Sequence, residues 1–317
     1  MKQESIRLEE TGMSVARQII PASSYMVTRR TTGRQFLLKP VPLVKQTFGY
    51  CLGYAANRYN VRIHAYCVMT NHYHIVLTDP DGRLPDFLSW FNEFVARALN
   101  RLWDRAESFW APGSYSAVRL ETADDVIEKM VYTLTNPVKA FLVMKSSNWP
   151  GASSRLVAFD SKTTFKRPSV FFSRKGGMPA SSTLRLETPM QFVGEETELR
   201  AQINERISEV EADFKRSAQK QRASFAGAGA VLKVQHFDRP RTPTISKSIN
   251  PHVASRNPIA LKVALLRLKA FRHEYIQARE RFRAGDASVI FPYGTFAMRR
   301  FARIEDEPPP GIDEWHQ

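Results

Sequence analysis

The sequence contains little cysteine, glycine or proline and no long apolar run. Its two cysteines, Cys51 and Cys67, are too few for a disulfide scaffold, and their apolar neighbours favour small buried side chains over ligands or nucleophiles. With 15 glycines and 19 prolines among 317 residues, a collagen-like or low-complexity chain is excluded. No apolar run approaches the roughly 18 residues that span a bilayer, and residues 1–12 lack the basic-then-apolar order of a secretion signal. The sequence therefore predicts a soluble cytoplasmic protein that does not enter a membrane.

Acidic residues are scarce relative to basic ones. The chain has 46 Lys and Arg against 31 Asp and Glu, a formal charge of +15 and a pI near 10.0. Up to Asp160 there are 19 basic and 14 acidic residues, and after it 27 and 17. A polyanion is therefore the first partner to consider, and the second half of the chain is the more electropositive part.

The first half alternates strand and helix patterns in the order β-α-β-β-α-β-α. Strand patterns lie at 24–28, 61–68, 72–77 and 114–120, and helical spacing of apolar residues lies at 42–58, 87–102 and 126–134. This order is typical of a ferredoxin-like or RRM-like fold of the α+β class, an antiparallel sheet carrying helices. We expect this domain at 1–158, a linker or irregular extension at 159–190, and a basic, mainly helical region at 191–317.

The sharpest local feature is His72-Tyr73-His74. Side chains alternate along a strand, so both imidazoles point to one face and Tyr73 to the other. Two neutral imidazoles at this spacing can reach one divalent ion. The alternative is two histidines on a partly exposed strand, each hydrogen-bonded to backbone or water.

Tyr132 and Asn136 stand four residues apart on a predicted helix and therefore share a face. The amide oxygen of Asn136 could complete a two-histidine metal site, and the phenol of Tyr132 could then attack a phosphorus atom. Spacing alone cannot bring these residues to the histidine pair, and most helical tyrosines are core or surface residues. Pro137 is expected to end the helix, since the residue before a proline avoids helical geometry.

Four motifs occur in order over about 90 residues. They are residues 64–77 (HAYCVMTNHYHIVL), Phe109-Trp110 with Ser114-Tyr115-Ser116, residues 132–140 (YTLTNPVKA), and Trp149-Pro150 with Ser153-Ser154. Together they resemble the single-tyrosine HUH transposases, the IS200-like family, and in particular their REP-associated branch. Three departures from the family pattern are Thr70 where proline is common, Phe141 in place of a small glycine, and Gly151-Ala152 inserted before the serine pair.

The resemblance implies an HUH nuclease fold for residues 1–158 and assigns roles to four residues. His72, His74 and Asn136 would bind Mg²⁺ or Mn²⁺, and Tyr132 would be the nucleophile. In that family the tyrosine cleaves single-stranded DNA and leaves a 5′-phosphotyrosine link with a free 3′-hydroxyl. Tyr115 is the rival nucleophile, although it lies on a predicted strand without a ligand one helical turn away.

A further histidine, His64, lies in the neighbouring strand and is either a general base or a structural or DNA-contacting residue. A hydrolase using the histidine pair with zinc is disfavoured, because no Cys, Glu or third His lies at a usual zinc spacing.

The second half offers a basic helix at about 259–283, with an apolar stripe that includes Leu261, Leu265 and Leu268. Its polar positions, together with two arginine pairs elsewhere, are candidates for contact with DNA phosphates. These candidates are Arg29, Arg30, Lys262, Arg267, Lys269, Arg272, Arg279, Arg281, Arg283, Arg299 and Arg300.

The functional prediction is a metal-dependent tyrosine transposase, a single-strand endonuclease and strand transferase acting on REP-like hairpin DNA. The alternative is a non-catalytic DNA-binding regulator built on the same fold. The expected partner is single-stranded or hairpin DNA in a bacterial cytoplasm, at the nucleoid, and a homodimer is left open.

Overall fold

The computed structural model describes residues 16–113, 115–154, 159, 161–172, 176–241, 251–302, 305, 306 and 308. These residues form two compact units, one from Ala22 to Arg256 and one that combines the residues before Ala22 with those from Asn257 onward. The strands are β1 Ser23–Arg30, β2 Arg62–Val68, β3 His72–Asp79, β4 Ser116–Leu120, β5 Lys162–Lys166, β6 Ser181–Arg185 and β7 Val253–Ala254. The α-helices are α1 Pro42–Tyr59, α2 Leu84–Leu102, α3 Ala123–Lys139, α4 Glu196–Gln221, α5 Ala228–Lys233, α6 Pro258–Arg283 and α7 Ala297–Ala302.

The main sheet of the first unit has the strand order β2-β3-β1-β4-β7. The first four strands pair antiparallel, in the arrangement expected of a split β-α-β fold. The α+β class and the ferredoxin-like arrangement are therefore confirmed. The sheet is nevertheless mixed, because the two-residue strand β7 joins its edge parallel to β4 from far along the chain.

Alternation along the strands divides the core between the two faces of the sheet. Tyr73 and Ile75 of β3 pack with α1 and α2 in one apolar cluster, where the ring of Phe48 lies 5.5 Å from that of Tyr73. Val76, which points the other way, packs with Met130 of α3 in a second cluster. The same alternation places His72 and His74 on the side of the sheet that α3 covers.

Helix α3 continues through Pro137 to Lys139, so the expectation that it would end before the proline is wrong. Pro137 occupies the last turn, where a missing N–H removes a single helical hydrogen bond. Its carbonyl accepts a hydrogen bond from the N–H of Leu142 (2.9 Å) as the chain leaves the helix.

Phe141, one of the departures from the family pattern, adopts the left-handed conformation with φ 54°. Glycine suits this conformation better, since a side chain there costs about 1–2 kcal/mol. The ring of Phe141 offsets this cost through contacts with Phe214 of α4 (5.7 Å) and with Phe225 (5.4 Å).

The segment expected as a linker holds a β-hairpin, β5 and β6, which packs on α1. Two glycines of α1 allow this approach: a Cβ on Gly49 would lie 2.3 Å from the ring of Phe165, and one on Gly53 would lie 3.0 Å from the backbone of Leu184. Tyr50 of α1 also donates to the carbonyl of Pro179 (2.7 Å). The expected boundary at 158 lies outside the described residues, and the compact unit continues to Arg256.

Helix α4 packs against α3. Leu199, Ile203 and Ile207 of α4 join the cluster that contains Met130. An ion pair between Arg206 and Asp124 (2.7 Å) fixes one end of α3. Helix α3 therefore contacts both the sheet and α4.

At the start of α3, the carboxylate of Asp125 accepts four hydrogen bonds. Asp125 forms a capping box with Thr122, whose N–H and hydroxyl donate to it at 3.0 and 2.7 Å. The hydroxyl of Ser255 and the N–H of Arg256 also donate to Asp125, both at 2.6 Å. Burial acts to raise the pKa of Asp125, but the hydrogen bonds from Ser255, Arg256 and Thr122 outweigh it and hold the pKa below its ordinary value.

We expect Asp125→Asn to lower the free energy of unfolding by about 2–3 kcal/mol at neutral pH, because its charge-assisted hydrogen bonds are lost. The folded-state pKa is depressed, so this contribution is complete above the unfolded pKa near 4 and is lost as the pH falls through the folded value. Urea unfolding at pH 7 and pH 3 measures both effects.

Asp124→Asn is the matched control, because it removes a neighbouring carboxylate that forms only the partly exposed pair with Arg206. Its expected cost is at most about 1 kcal/mol. The depressed pKa of Asp125 would be contradicted if the wild-type protein and Asp125→Asn differed in free energy of unfolding by the same amount at pH 7 and at pH 3.

In the second unit, α6 matches the helix predicted at 259–283. Ala264, Leu268 and Phe271 are buried, as the predicted stripe requires, whereas Leu265 is 49% exposed and does not belong to it. Tyr275 and Phe282 of α6 pack with Phe291, which is fully buried. No described helix of either unit is long and apolar enough to cross a membrane.

Candidate active site

The two predicted metal ligands lie side by side on β3. The ring centroids of His72 and His74 are 4.8 Å apart, and their planes are nearly perpendicular. In the antiparallel register, His72 lies opposite Arg30 of β1 and His74 lies opposite Thr28. Paired residues share a face, so Arg30 and Thr28 flank the histidine pair.

Hydrogen bonds orient both rings through their Nδ1 atoms. Asn71 donates through Nδ2 to the carbonyl of Arg34 (3.2 Å), so its Oδ1 is the atom that accepts from Nδ1 of His72 (2.7 Å). Nδ1 of His74 shares a hydrogen bond with the hydroxyl of Thr28 (2.8 Å). Nε2 of His74 is buried and has no hydrogen-bond partner among the described residues. In His72, Nδ1 donates its proton to Asn71, so the lone pair of the neutral ring is on Nε2.

Burial keeps both histidines uncharged. It lowers the pKa of His72 to about 4, while the hydrogen bond that His72 makes to the side chain of Asn136 opposes the decrease and the charge of Arg30 adds to it. Burial and the neighbouring His72 hold the pKa of His74 well below its ordinary value. Neutral imidazoles are the form that binds metal ions.

Helix α3 brings the other two predicted residues to the pair. The ring of Tyr132 lies 5.5 Å from that of His74, edge to face. The side chain of Asn136, one turn later, is hydrogen-bonded to His72. All four residues therefore meet within one chain, which spacing in the sequence could not show.

The donor set fits a divalent metal ion. The described part of the chain has no cluster of three His, Cys, Asp or Glu residues that could hold a metal, so zinc sites of the usual composition are not favoured. Two neutral imidazoles and the amide oxygen of Asn136 form a mixed nitrogen and oxygen set that suits an ion with open positions. The unpartnered Nε2 of His74 supports this fit, because a buried polar atom normally has a partner.

A residue without a predicted role, Lys139, lies beside the tyrosine. Its Nζ is 4.6 Å from the ring centroid of Tyr132, and that of Lys129 is 5.9 Å away. Burial lowers the pKa of Lys139, while the carboxylate of Glu128 opposes the decrease. Helical spacing of 129, 132 and 139 was the sequence signal for this shared face.

Both ring nitrogens of His64 are hydrogen-bonded inside the protein. Its Nδ1 donates to the carbonyl of Glu187 and its Nε2 accepts from the hydroxyl of Thr78, both at 2.7 Å. Burial is the main cause that lowers its pKa to about 4. With both nitrogens engaged in a buried polar chain, His64 is not placed to act as a base.

The rival tyrosines lie elsewhere. Tyr73 is fully buried on the opposite face of the sheet, where it donates to the side chain of Asn92 (2.8 Å). Tyr115 lines a cavity together with Arg29 and Trp110. Neither position brings a phenol to the histidine pair.

The candidate DNA contacts fall into different environments. Arg29 is half-buried with its guanidinium 5.5 Å from the Trp110 ring centroid, whereas Arg30 is exposed beside His72. On α6, Lys262, Lys269 and Arg283 are exposed. The remaining candidates are half-buried Arg267, Arg272 and Arg279, exposed Arg300, Arg281 paired with Asp286 (2.7 Å), and Arg299 paired with Asp306 (3.5 Å).

Comparisons with known proteins yield one family model and several solved structures, among them the two that follow. No curated protein matches the chain. A REP-associated tyrosine transposase bound to a REP hairpin is 19% identical, with a TM-score of 0.38 over 44% of this chain and 81% of its own. A suspected transposase from Deinococcus radiodurans R1 is 21% identical, with a TM-score of 0.27 over 33% of this chain and 85% of its own.

The family model described as "Transposase IS200 like" matches residues 22–132. The matched segment includes β1 to β4, both histidines of the pair and Tyr132, at which it ends. Over residues 22–132, this chain is therefore similar to the IS200-like transposase family.

Proposed function

We propose that the protein is a metal-dependent DNA transposase that cuts single-stranded DNA by forming a covalent link to Tyr132. The observation that carries this proposal is the position of the Tyr132 ring, 5.5 Å from His74 in the same chain. A phenol beside two neutral imidazoles and an amide suits attack on phosphorus better than any other site in the described residues. The cutting mechanism, the metal and the strand preference belong to this proposal.

In the proposed reaction, Oη of Tyr132 forms a bond to the phosphorus as the bond from phosphorus to the 3′ oxygen breaks. The phenol proton passes to solvent and the departing 3′ oxygen takes up a proton, which leaves a 5′-phosphotyrosine and a 3′-hydroxyl. Mg²⁺ or Mn²⁺ held by His72, His74 and Asn136 would polarise the phosphate oxygens. Asn71 and Thr28 hold the two imidazoles in position.

Lys139 supplies a positive charge at the nucleophile. A phenol is a weak nucleophile at neutral pH, since its ordinary pKa is near 10. A cation at the face of the Tyr132 ring favours the negative charge that develops on Oη and on the phosphate.

Lys139→Met, which keeps the length of the side chain and removes its charge, is expected to slow adduct formation about 10- to 100-fold. Lys139→Arg is expected to retain most of the rate, because the charge remains. Single-turnover rates of adduct formation measure both variants, with DNA affinity measured in parallel. Equal rates for Lys139→Met and the wild-type protein would remove Lys139 from the mechanism.

We further propose hairpin-forming, REP-like DNA as the substrate, because the four ordered motifs of residues 64–154 resemble the REP-associated branch. Exposed cations such as Arg30, Lys262 and Lys269 would bind phosphates, so affinity should fall steeply with salt. Because the four active-site residues meet within one chain, catalysis would not require a homodimer. A protein with this activity would work in the cytoplasm, at the nucleoid.

The test is incubation of the purified chain with labelled single-stranded hairpin DNA, with Mg²⁺, Mn²⁺ or EDTA. We expect a nicked product and a covalent protein adduct on a denaturing gel with either metal, and neither with EDTA. Binding without cleavage across a broad panel of hairpins would instead support the alternative, a non-catalytic DNA-binding regulator.

A further inference from the structure

We propose that Trp103, His236 and Phe237 form a stacking surface for unpaired bases of single-stranded DNA. We call these three residues the aromatic surface. The inference rests on the proposed function, because it assigns to the same DNA strand a second contact outside the active site. All three residues belong to the unit Ala22–Arg256 and lie outside every predicted DNA contact.

The rings of the aromatic surface are arranged in sequence from the protein outward. The ring of Trp103, at the end of α2, lies parallel to that of His236, with centroids 4.6 Å apart and planes 5° apart. Phe237 meets His236 edge to face at 5.2 Å and is 59% exposed. The outermost ring therefore presents apolar area to solvent on a base of two stacked rings.

A tight turn holds the outer rings in place. The N–H of Asp238 donates to the carbonyl of Gln235 (3.1 Å), so His236 and Phe237 occupy the two central positions of the turn. The carboxylate of Asp238 accepts from the N–H of Gln235 (2.9 Å) and closes the turn. Because the rings are already positioned, little conformational entropy would be lost when a base stacks on them.

Basic residues surround the aromatic surface. Lys39 and Arg105 act electrostatically on His236, and Arg239 and Arg241 follow the turn as exposed residues. Opposing charges are Asp238 and Glu107, whose 72% exposed carboxylate pairs with Arg105 at 3.5 Å. Only the Glu107 side of this pair faces solvent, since the Arg105 side chain is 15% exposed.

One loop, residues 31–38, connects the aromatic surface to the active site. On the side of the active site, the carbonyl of Arg34 accepts a hydrogen bond from the side chain of Asn71, which is itself hydrogen-bonded to His72. On the other side, the carbonyl of Leu37 accepts from the indole of Trp103 (2.9 Å), and the N–H of Phe36 donates to the carbonyl of Asp238 (2.8 Å). Hydrogen bonds of this loop therefore link the aromatic surface to the residue that orients His72.

Exposed aromatic rings interleaved with cations are the chemistry that binds single-stranded nucleic acid without sequence preference. Inside a duplex each base is stacked on both faces and offers none to Phe237, so a duplex presents a face only at its two ends. The surface therefore favours unpaired DNA, such as the flank of a hairpin, over a duplex.

The experiment measures fluorescence anisotropy of a labelled single strand and of a blunt duplex at fixed salt. The proteins carry Tyr132→Phe so that binding is read without turnover. We expect Phe237→Ala to weaken single-strand binding about 5- to 100-fold and to leave duplex binding unchanged. Phe237→Trp should bind the single strand as well as Phe237 does, because it retains a ring.

Val193→Ala is the matched control, since Val193 is a large apolar side chain of the same unit that is 96% exposed and has no role in the proposal. The proposal is overturned if Phe237→Ala binds the single strand normally, or if single strand and duplex weaken equally. It is also overturned if Val193→Ala causes the same loss.

Two separate measurements test the aromatic surface and the proposed function: binding by anisotropy tests the first, and adduct formation tests the second. With Tyr132 intact, Phe237→Ala should form adducts at the wild-type rate once the single strand is saturating. If the wild-type protein forms no adduct with any DNA, the proposed function fails, whereas the anisotropy comparison still decides whether the aromatic surface binds single strands.

Discussion

Tyr132→Phe is expected to abolish covalent attachment of the protein to DNA, with a loss of at least about a thousandfold in adduct formation. The variant lacks the oxygen that forms the bond to phosphorus, and the described residues place no other phenol at the histidine pair. The fold should be unaffected, because the edge-to-face contact between the Tyr132 ring and His74 involves the ring rather than the hydroxyl. Labelled oligonucleotide retained on a denaturing gel measures the adduct, and anisotropy should show unchanged DNA binding.

Tyr115→Phe is the control for this experiment. It removes the rival phenol, which lines the cavity with Arg29 and Trp110, and should leave adduct formation intact. If Tyr132→Phe still forms adducts and Tyr115→Phe does not, the nucleophile has been misassigned and the reactive phenol lies on the other face of the sheet.

Local periodicity was sufficient to predict each half of the site separately. Alternation on β3 predicted that His72 and His74 share a face, and the spacing of four predicted the same for Tyr132 and Asn136. Their meeting depends on α3 packing against the sheet through contacts between residues far apart in the chain, such as Val76 and Met130. No spacing rule contains that information, and only the family resemblance predicted it.

Residues that support the site were harder to predict for the same reason. Thr28 reaches His74 only through the pairing of β1 with β3, a register that the sequence does not state. Asn71 is adjacent to His72, but its role depends on the carbonyl of Arg34 fixing its amide. Lys139 lies seven residues after Tyr132, a spacing that puts both on one helix face, but the helix was expected to end before Pro137 and so not to reach Lys139.

The α+β order of the first half was predictable because its elements bury one face and therefore show clear periodicity. The hairpin of β5 and β6 was not, since β5 is mostly exposed and has no alternating apolar pattern. Its position depends on the small residues Gly49 and Gly53 of α1, which read locally as ordinary helical residues. The aromatic surface was missed similarly, because Trp103 and His236 are separated by more than a hundred residues.

His74→Ala is expected to reduce adduct formation at least about a hundredfold and to eliminate stabilisation of the protein by Mn²⁺. Its Nε2 is buried and has no hydrogen-bond partner among the described residues, so a bound ion would remove an unfavourable state as well as form a ligand bond. Thr28→Val, which removes the hydrogen bond to Nδ1 and keeps the ring, should cause a smaller loss of about tenfold. His273→Ala changes an exposed histidine of the second unit and should have no effect.

Thermal unfolding with and without Mn²⁺ separates loss of metal from loss of fold. A ligand that binds only the folded state stabilises it by about 2.7 kcal/mol at a hundred times its dissociation constant, so the wild-type melting temperature should rise measurably. The melting temperature of His74→Ala should not respond to Mn²⁺, whatever its value in EDTA. If Mn²⁺ stabilises His74→Ala as much as the wild-type protein, the metal does not bind at the histidine pair, and polarisation of the phosphate would have to come from Lys139 and Arg30 alone.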